Sequence, residues 1–392
     1  MGVGRFVYTP ILPLMHAQAG LSAGAGADLA TANYVGYLIG ALAGTFVPRL
    51  GRSSAVLRGC LLALVASLAA MPLTHSTVLW VLLRFGAGAF SAMIFVIAAS
   101  SLLSRLRDHP AHLPGWAFGG VGAGIALSGL LVLLLRDVGD WRTAWWASAA
   151  LAAVLTVPAW GLRPEPAPSV PRAGSTREEP TGGPRTHRWF TALFASYTLE
   201  GIGYIIAGTF LVAAIEQSSP GWIGSGAWVL VGLAAVPSAA LWSWLGRRWS
   251  RPDLLLAALV VQAVGIALPA LVGGVSAALI SAVLFGATFI GVSTLALATG
   301  THLRVPRAVA MLTAGYSVGQ ILGPLVATPL LRHSYHQALF LAAVVVLGAA
   351  LTAFLLRIGF PHSMPPTGPA AHAATAAGRG PASAGSAGRE EE

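Results

Sequence analysis

Apolar residues run through this chain in long stretches, and polar ones collect in short clusters between them. A bilayer's hydrocarbon core is about 30 Å thick and takes about 20 apolar helical residues to cross. Twelve stretches reach or approach that length: 1–17, 29–48, 54–73, 77–103, 116–135, 142–162, 189–215, 222–245, 254–273, 275–300, 308–331 and 337–358. Gly and Pro inside them are compatible with spanning helices, because packed neighbours can satisfy the backbone groups a break sets free. The first stretch is the outlier. Its 17 residues rise only about 25 Å as a helix, so the expectation is a first helix truncated at its start. No charged leader precedes an apolar core, and no cleavable signal peptide is expected.

The stretches also repeat. Gly2-Val3-Gly4-Arg5-Phe6 returns 199 residues on as Gly201-Ile202-Gly203-Tyr204-Ile205, and Phe85-Gly86-Ala87 returns as Phe285-Gly286-Ala287. Gly51-Arg52 returns as Gly246-Arg247, and Gly120/Gly124 as Gly315/Gly319. Four pairs in one order at nearly constant offset predict an all-α membrane protein, with twelve transmembrane helices in two pseudo-symmetric six-helix bundles. Such twin halves mark proteins that move solutes by alternating access, the halves rocking about a site between them. The expected organisation is a bundle over 1–162, a cytoplasmic linker over 163–188, a bundle over 189–359 and a disordered cytoplasmic tail over 360–392. Linker and tail are inferred from Pro, Gly, Ser and charge enrichment without an apolar face.

Composition narrows the class. The chain of 392 residues is 56% hydrophobic and only 9% charged, well under the ~25% of a soluble domain. The net charge of +10 does not imply nucleic acid, because the arginines lie in short loops and form no continuous basic face. With an N-terminus inside, eighteen arginines fall in inside loops and tail, whereas only Arg136, Arg142 and Arg332 fall outside. That bias predicts cytoplasmic termini and a multi-pass protein of a bacterial inner membrane. The single cysteine, Cys60, excludes an internal disulfide, and the absence of lysine rules out a lysine-containing phosphate loop and a built-in ATPase. The histidine pairs His109/His112 and His333/His336 lack further ligands nearby. No Gly-x-Ser-x-Gly elbow is present. No enzyme, metal or cofactor is expected; the driving force would be a proton gradient.

Three ionised side chains fall deep in the apolar stretches: Arg5, Arg84 and Glu200. A charge at the bilayer centre costs at least about 2.5–3.5 kcal/mol, so each needs a partner, a wet cavity or neutralisation. Glu200, mid-helix in the seventh stretch, suits proton uptake and release; its alternative is a structural ion pair with Arg5 or Arg84. Arg5 lies in the stretch that the repeat pairs with the seventh, where a guanidinium facing a central cavity could clamp a carboxylate or phosphate. The alternative is an arginine near the helix end that reaches water. Tyr8 shares a helical face with Arg5, and Tyr204 with Glu200; with Tyr34 and Gln320 they complete the expected binding residues. Small-residue stripes at Gly36/Gly40/Gly44, Gly120/Gly124/Ser128 and Gly315/Gly319/Gly323 predict close helix approach and, in a rocking protein, sliding faces.

The loop Gly44-Thr45-Phe46-Val47-Pro48-Arg49-Leu50-Gly51-Arg52 resembles the hallmark Gly-x-x-x-Asp-Arg-x-Gly-Arg loop of the major facilitator superfamily. Gly44, Arg49, Gly51 and Arg52 match as gating-loop residues, while Pro48 replaces the acidic one and puts the charge-relay form of that gate in doubt. Arg84-Phe85-Gly86-Ala87-Gly88 resembles the family's fourth-helix motif, which implies a part for Arg84 in proton coupling. The fifth stretch has no Gly-Pro pair, so the antiporter signature is incomplete. Four blocks, Gly2 to Pro13, Ala32 to Tyr37, Leu199 to Phe210 and Gly319 to Pro324, resemble the bacterial YbfB/YjiJ-type branch of the superfamily. The resemblance implies a secondary transporter of a small solute, a monomer in the lipid bilayer, and leaves the solute open. Two buried arginines against one carboxylate favour an anionic solute. The alternatives are a facilitator or drug exporter with a structural Glu200, and a non-transporting sensor or scaffold.

Overall fold

The computed structural model describes residues 2–105, 113–162, 186–219 and 221–361. The N-terminal half comprises α1 (Gly2–Phe6), α2 (Tyr8–Ala19), α3 (Ala23–Phe46), the short α4 (Pro48–Gly51), α5 (Ser54–Ala70), α6 (Thr77–Arg105), α7 (Leu113–Leu135) and α8 (Trp141–Ala159). The C-terminal half comprises α9 (His187–Ser218), α10 (Ile223–Leu245), α11 (Arg251–Leu271), α12 (Gly274–His302), α13 (Ala308–Leu331) and α14 (Tyr335–Leu356). No strand occurs among the described residues, and the helices through Ile358 form one compact unit. Except for 186–188 and 360–361, the predicted linker and tail lie outside the described residues, as does the His109/His112 pair.

Each of the twelve apolar stretches holds helix, and the second begins six residues earlier than expected, at Ala23. Ser22 explains that start, its hydroxyl accepting from Ala25 N at 3.1 Å as an N-cap. Nine helices among the described residues are long and apolar enough to cross a membrane by themselves. The first stretch differs from its expected form. Its regular hydrogen bonding is interrupted at Val7, between α1 and α2, although Val7 keeps helical torsions and its N–H reaches the Val3 carbonyl at 3.0 Å. Pro10 supplies the cause, since it has no N–H for the Phe6 carbonyl and its ring crowds that carbonyl.

The internal repeat is visible in the packing. α3 packs along α6 and α10 along α12, pairs that exchange when the halves are exchanged. The contacts between halves obey the same rule: α7 lies along α10, and α13 along α3. The glycine stripes serve another purpose than sliding. Gly36 and Gly40 face the α6 backbone, and Gly319 and Gly323 face α9, so both stripes are used inside their own halves. Gly120 faces open space. The close approach between halves falls instead at Gly122 and Gly232, where a Cβ on Gly232 would sit 2.1 Å from Ala126 N.

Candidate functional site

α1 and α2 bring Arg5, Tyr8 and Thr9 against the C-terminal half. Arg5 is 6% exposed although it carries a full charge. One of its Nη groups donates to Gln320 Oε1 on α13, joining the two halves. Its guanidinium carbon lies 4.1 Å from the Tyr37 ring centroid and 5.2 Å from those of Tyr34 and Phe6, a cage of π faces that favours a cation. Arg5 Nε has no hydrogen-bond partner. The only ion pairs among the described residues are Arg136–Asp137 and Arg357–Asp253, so Arg5 has no carboxylate.

Arg84, on α6, does not share that cavity. Its two Nη atoms donate to the carbonyls of Gly4 at 3.4 Å and Arg5 at 3.2 Å, and its guanidinium lies 4.8 Å from the Tyr8 ring. The arginine thus satisfies backbone oxygens just before the interruption at Val7, and holds the turn that carries Arg5. Tyr8 donates to the Gly26 carbonyl at 2.8 Å, bracing α2 against α3.

A cavity of about 370 Å³ lies between the halves. Of the sequence-derived residues it brings together Arg5, Tyr204 and Gln320; Tyr8, Tyr34, Arg84 and Glu200 do not line it. Tyr34 points to the closed end, its hydroxyl 2.8 Å from Thr209 Oγ1. Beside it Thr9 Oγ1 donates to the Gly208 carbonyl at 2.7 Å. These two bonds tie α2 and α3 to α9. At the opposite end a cleft of about 590 Å³ separates α3 from α13, and it shares Thr313 and Ser317 with the cavity. Sequence reasoning missed Tyr37, Tyr197, Phe289 and Tyr316, which supply half of the aromatic lining. The signal that could have found Tyr37 is its place one turn after Tyr34 in a block already singled out.

Glu200 is wholly buried on α9, behind that lining. Gln262 Nε2 of α11 donates to Glu200 Oε1 at 3.2 Å, while Glu200 Oε2 and Gln262 Oε1 have no partner. The anticipated ion pair with Arg5 or Arg84 is not formed. In the loop after α3, Gly44 and Gly51 are in contact: a Cβ on Gly51 would lie 2.5 Å from the Gly44 carbonyl, which explains a glycine there. Arg49 and Arg52 are exposed and take part in no ion pair among the described residues.

Solved structures share this architecture. A nucleoside transporter, NupG, aligns with a TM-score of 0.66 at 13% identity, over 91% of this chain and 98% of that one. A bacterial homologue of the human lysosomal transporter Spinster, in an inward-facing and occupied conformation, aligns with a TM-score of 0.64 at 15% identity, over 93% and 96%. At such identity the likeness shows the fold. No curated protein matches the sequence. The family described as "Uncharacterised MFS-type transporter YbfB" matches residues 1–354, and the chain belongs to it: a multi-pass membrane transporter of the major facilitator superfamily, not an enzyme.

Proposed function

We propose that this YbfB-type protein is a proton-coupled secondary transporter that carries a small organic anion across the bacterial inner membrane. The observation that carries the reading is Arg5, a buried and acid-free guanidinium on the wall of a cavity between the halves. An anion entering there would neutralise a charge that is costly to bury alone. The cavity is tied shut at the Thr9–Gly208 and Tyr34–Thr209 end and continuous with a cleft at the other, the asymmetry of one end-state of an alternating-access cycle. The arginine bias supports cytoplasmic termini, which turns the cleft toward the cytoplasm. Both walls come from one chain, so a monomer suffices. Neither nucleic acid nor a cofactor enters the cycle.

Glu200 is the proton carrier in this reading. Its carboxyl group is enclosed with a single amide donor and no cation partner among the described residues. Release requires that water or a cation reach it, as when the halves rock. Tyr197, one turn before Glu200 on α9, lines the cavity, so solute and carboxyl act on the same helix. Arg84 touches no carboxyl group among the described residues, and its part is to position Arg5 through the carbonyls it holds.

The test is flux in proteoliposomes with benzoate, an ordinary organic anion. Wild type should accumulate it when a proton gradient is imposed and exchange it when none is. Glu200→Gln should abolish accumulation and keep exchange. Gradient-driven accumulation that survives Glu200→Gln would leave a transporter whose glutamate only holds α9 to α11.

A further inference from the structure

The wall that the C-terminal half gives to the cavity is built from rings set almost parallel. Tyr197 and Tyr316 stack with centroids 4.4 Å apart at 13°, Tyr204 and Phe289 at 5.2 Å and 14°, and Tyr204 and Tyr316 at 5.9 Å and 20°. These rings come from three helices, α9, α12 and α13, yet share one orientation. On the Arg5 side the cavity is bounded by Phe6 and Tyr37. Phe6 and Phe289 already meet across the cavity at 6.5 Å and 59°, so a flat ring enters beside that contact, against Tyr316 and Tyr204. A saturated body of equal size gains only buried area.

The polar end of the cavity is as specific. Arginine has only donors, so the Gln320 atom it meets must be the carbonyl oxygen, and this turns the Gln320 amide nitrogen outward as a second donor. Arg5 Nε is still unpartnered. Arg84 is the other buried arginine, and its Nη groups are already committed to the Gly4 and Arg5 carbonyls. Among the described residues one cation therefore faces the cavity, which matches a single negative charge and leaves a dianion half neutralised.

We propose that the solute is a planar aromatic monocarboxylate, its carboxylate on Arg5 and Gln320 and its ring stacked along Tyr316 and Tyr204. This rests on the reading of the cavity as the site of a transported small anion, and it adds the body that the anion must have. It is separable from that reading because the charge is read by Arg5 and the ring by different side chains, Tyr316 and Tyr204.

The full chain in detergent micelles should be titrated with three probes, followed by thermal stabilisation: 2-naphthoate, the fully saturated decahydro-2-naphthoate, and neutral 2-naphthalenemethanol. We expect 2-naphthoate to bind about tenfold more tightly than either of the others. Tyr316→Leu should bring the aromatic and saturated acids within about twofold and keep the preference for acid over alcohol, while Tyr316→Phe restores the first preference. Arg5→Gln should do the reverse. Phe289→Leu replaces Tyr316→Leu if that variant does not fold. Equal affinity for the two acids in wild type overturns the aromatic assignment and leaves the anion reading standing. Equal affinity for acid and alcohol overturns the anion reading and keeps the stack. Folded protein that binds none of the three overturns the proposal as a whole.

Discussion

The two seams between the halves are equivalent by the repeat and opposite in packing. Along α7·α10 the backbones meet without side chains between them, with Gly122 and Gly232 each within 3 Å of the other helix once a Cβ is imagined. A hollow of about 470 Å³ lies at the α10 end near Trp116 and Trp244, but it shares no lining residue with the cavity. Along α3·α13 no glycine mediates the approach, and the seam parts into the cleft that runs to Thr313 and Ser317. Counterpart helices of the repeat thus pack differently at the two seams. In the proposed cycle the first seam would serve as a closed hinge and the second as a door.

If so, adding volume to the hinge should be ruinous and adding it to the door should not. Gly232→Ala would place a methyl 2.1 Å from the Ala126 nitrogen, and backbone cannot yield as a flexible side chain does. A loss of roughly 3 kcal/mol or more is expected, at the upper end of overpacking costs, read as a fall in Tm or as failure to elute as a monodisperse peak. Ala310→Leu, on the exposed lip of the α3·α13 cleft, should cost less than about 1 kcal/mol and yet slow solute flux severalfold. Equal destabilisation by the two changes, or full flux in Ala310→Leu, would erase the distinction between hinge and door.

The hinge was hard to read from sequence for a definite reason. Helix existence was legible because burial in lipid demands long apolar stretches, and the repeat was legible because its glycines recur in order. Which glycines lie between the halves was not. Gly36, Gly319 and Gly323 have the same four-residue spacing as a sliding face, yet a helix has several faces, and spacing alone does not say which neighbour each one meets. The cavity was half legible. Arg5, Tyr204 and Gln320 stand out as polar groups in apolar stretches, whereas Tyr197, Tyr316 and Phe289 look like any lipid-facing or core aromatic until their rings are seen in parallel. Gln262 was equally visible in principle, the one amide in the stretch 254–273, but nothing in the sequence pairs it with Glu200.

The comparison also requires that each half move as a body, and Arg84 tests that. It lies inside the N-terminal half with backbone carbonyls of α1 as its acceptors, so it should matter for rigidity more than for binding. Arg84→Ala removes a large buried side chain and two charge-assisted hydrogen bonds, at about 2–4 kcal/mol. Arg5→Ala removes a group that faces a cavity, and should cost less stability and more affinity for organic anions. Thermal unfolding and anion titration of the two variants side by side separate the roles. If Arg84→Ala keeps wild-type Tm while losing gradient-driven flux, Arg84 acts in coupling itself and not through α1.

The finest test concerns the latch opposite the door. Thr9→Val and Tyr34→Phe each delete one hydrogen bond to α9 and keep nearly the same shape. A net value of about 0.5–1.5 kcal/mol per bond means that the double variant tilts the equilibrium between closed and parted latch by roughly 1–3 kcal/mol. That is about a five- to 150-fold change in the parted population. Amide hydrogen exchange across Ile205–Val212 should rise by that order. Exchange along Gly122–Gly129 in the hinge should stay as it is, because the latch and the hinge share no residue. Faster exchange at both places would mean that the variant loosens the whole fold. Faster exchange at the latch alone would mean that two hydroxyl groups hold one end of the molecule closed while a backbone seam keeps the halves joined.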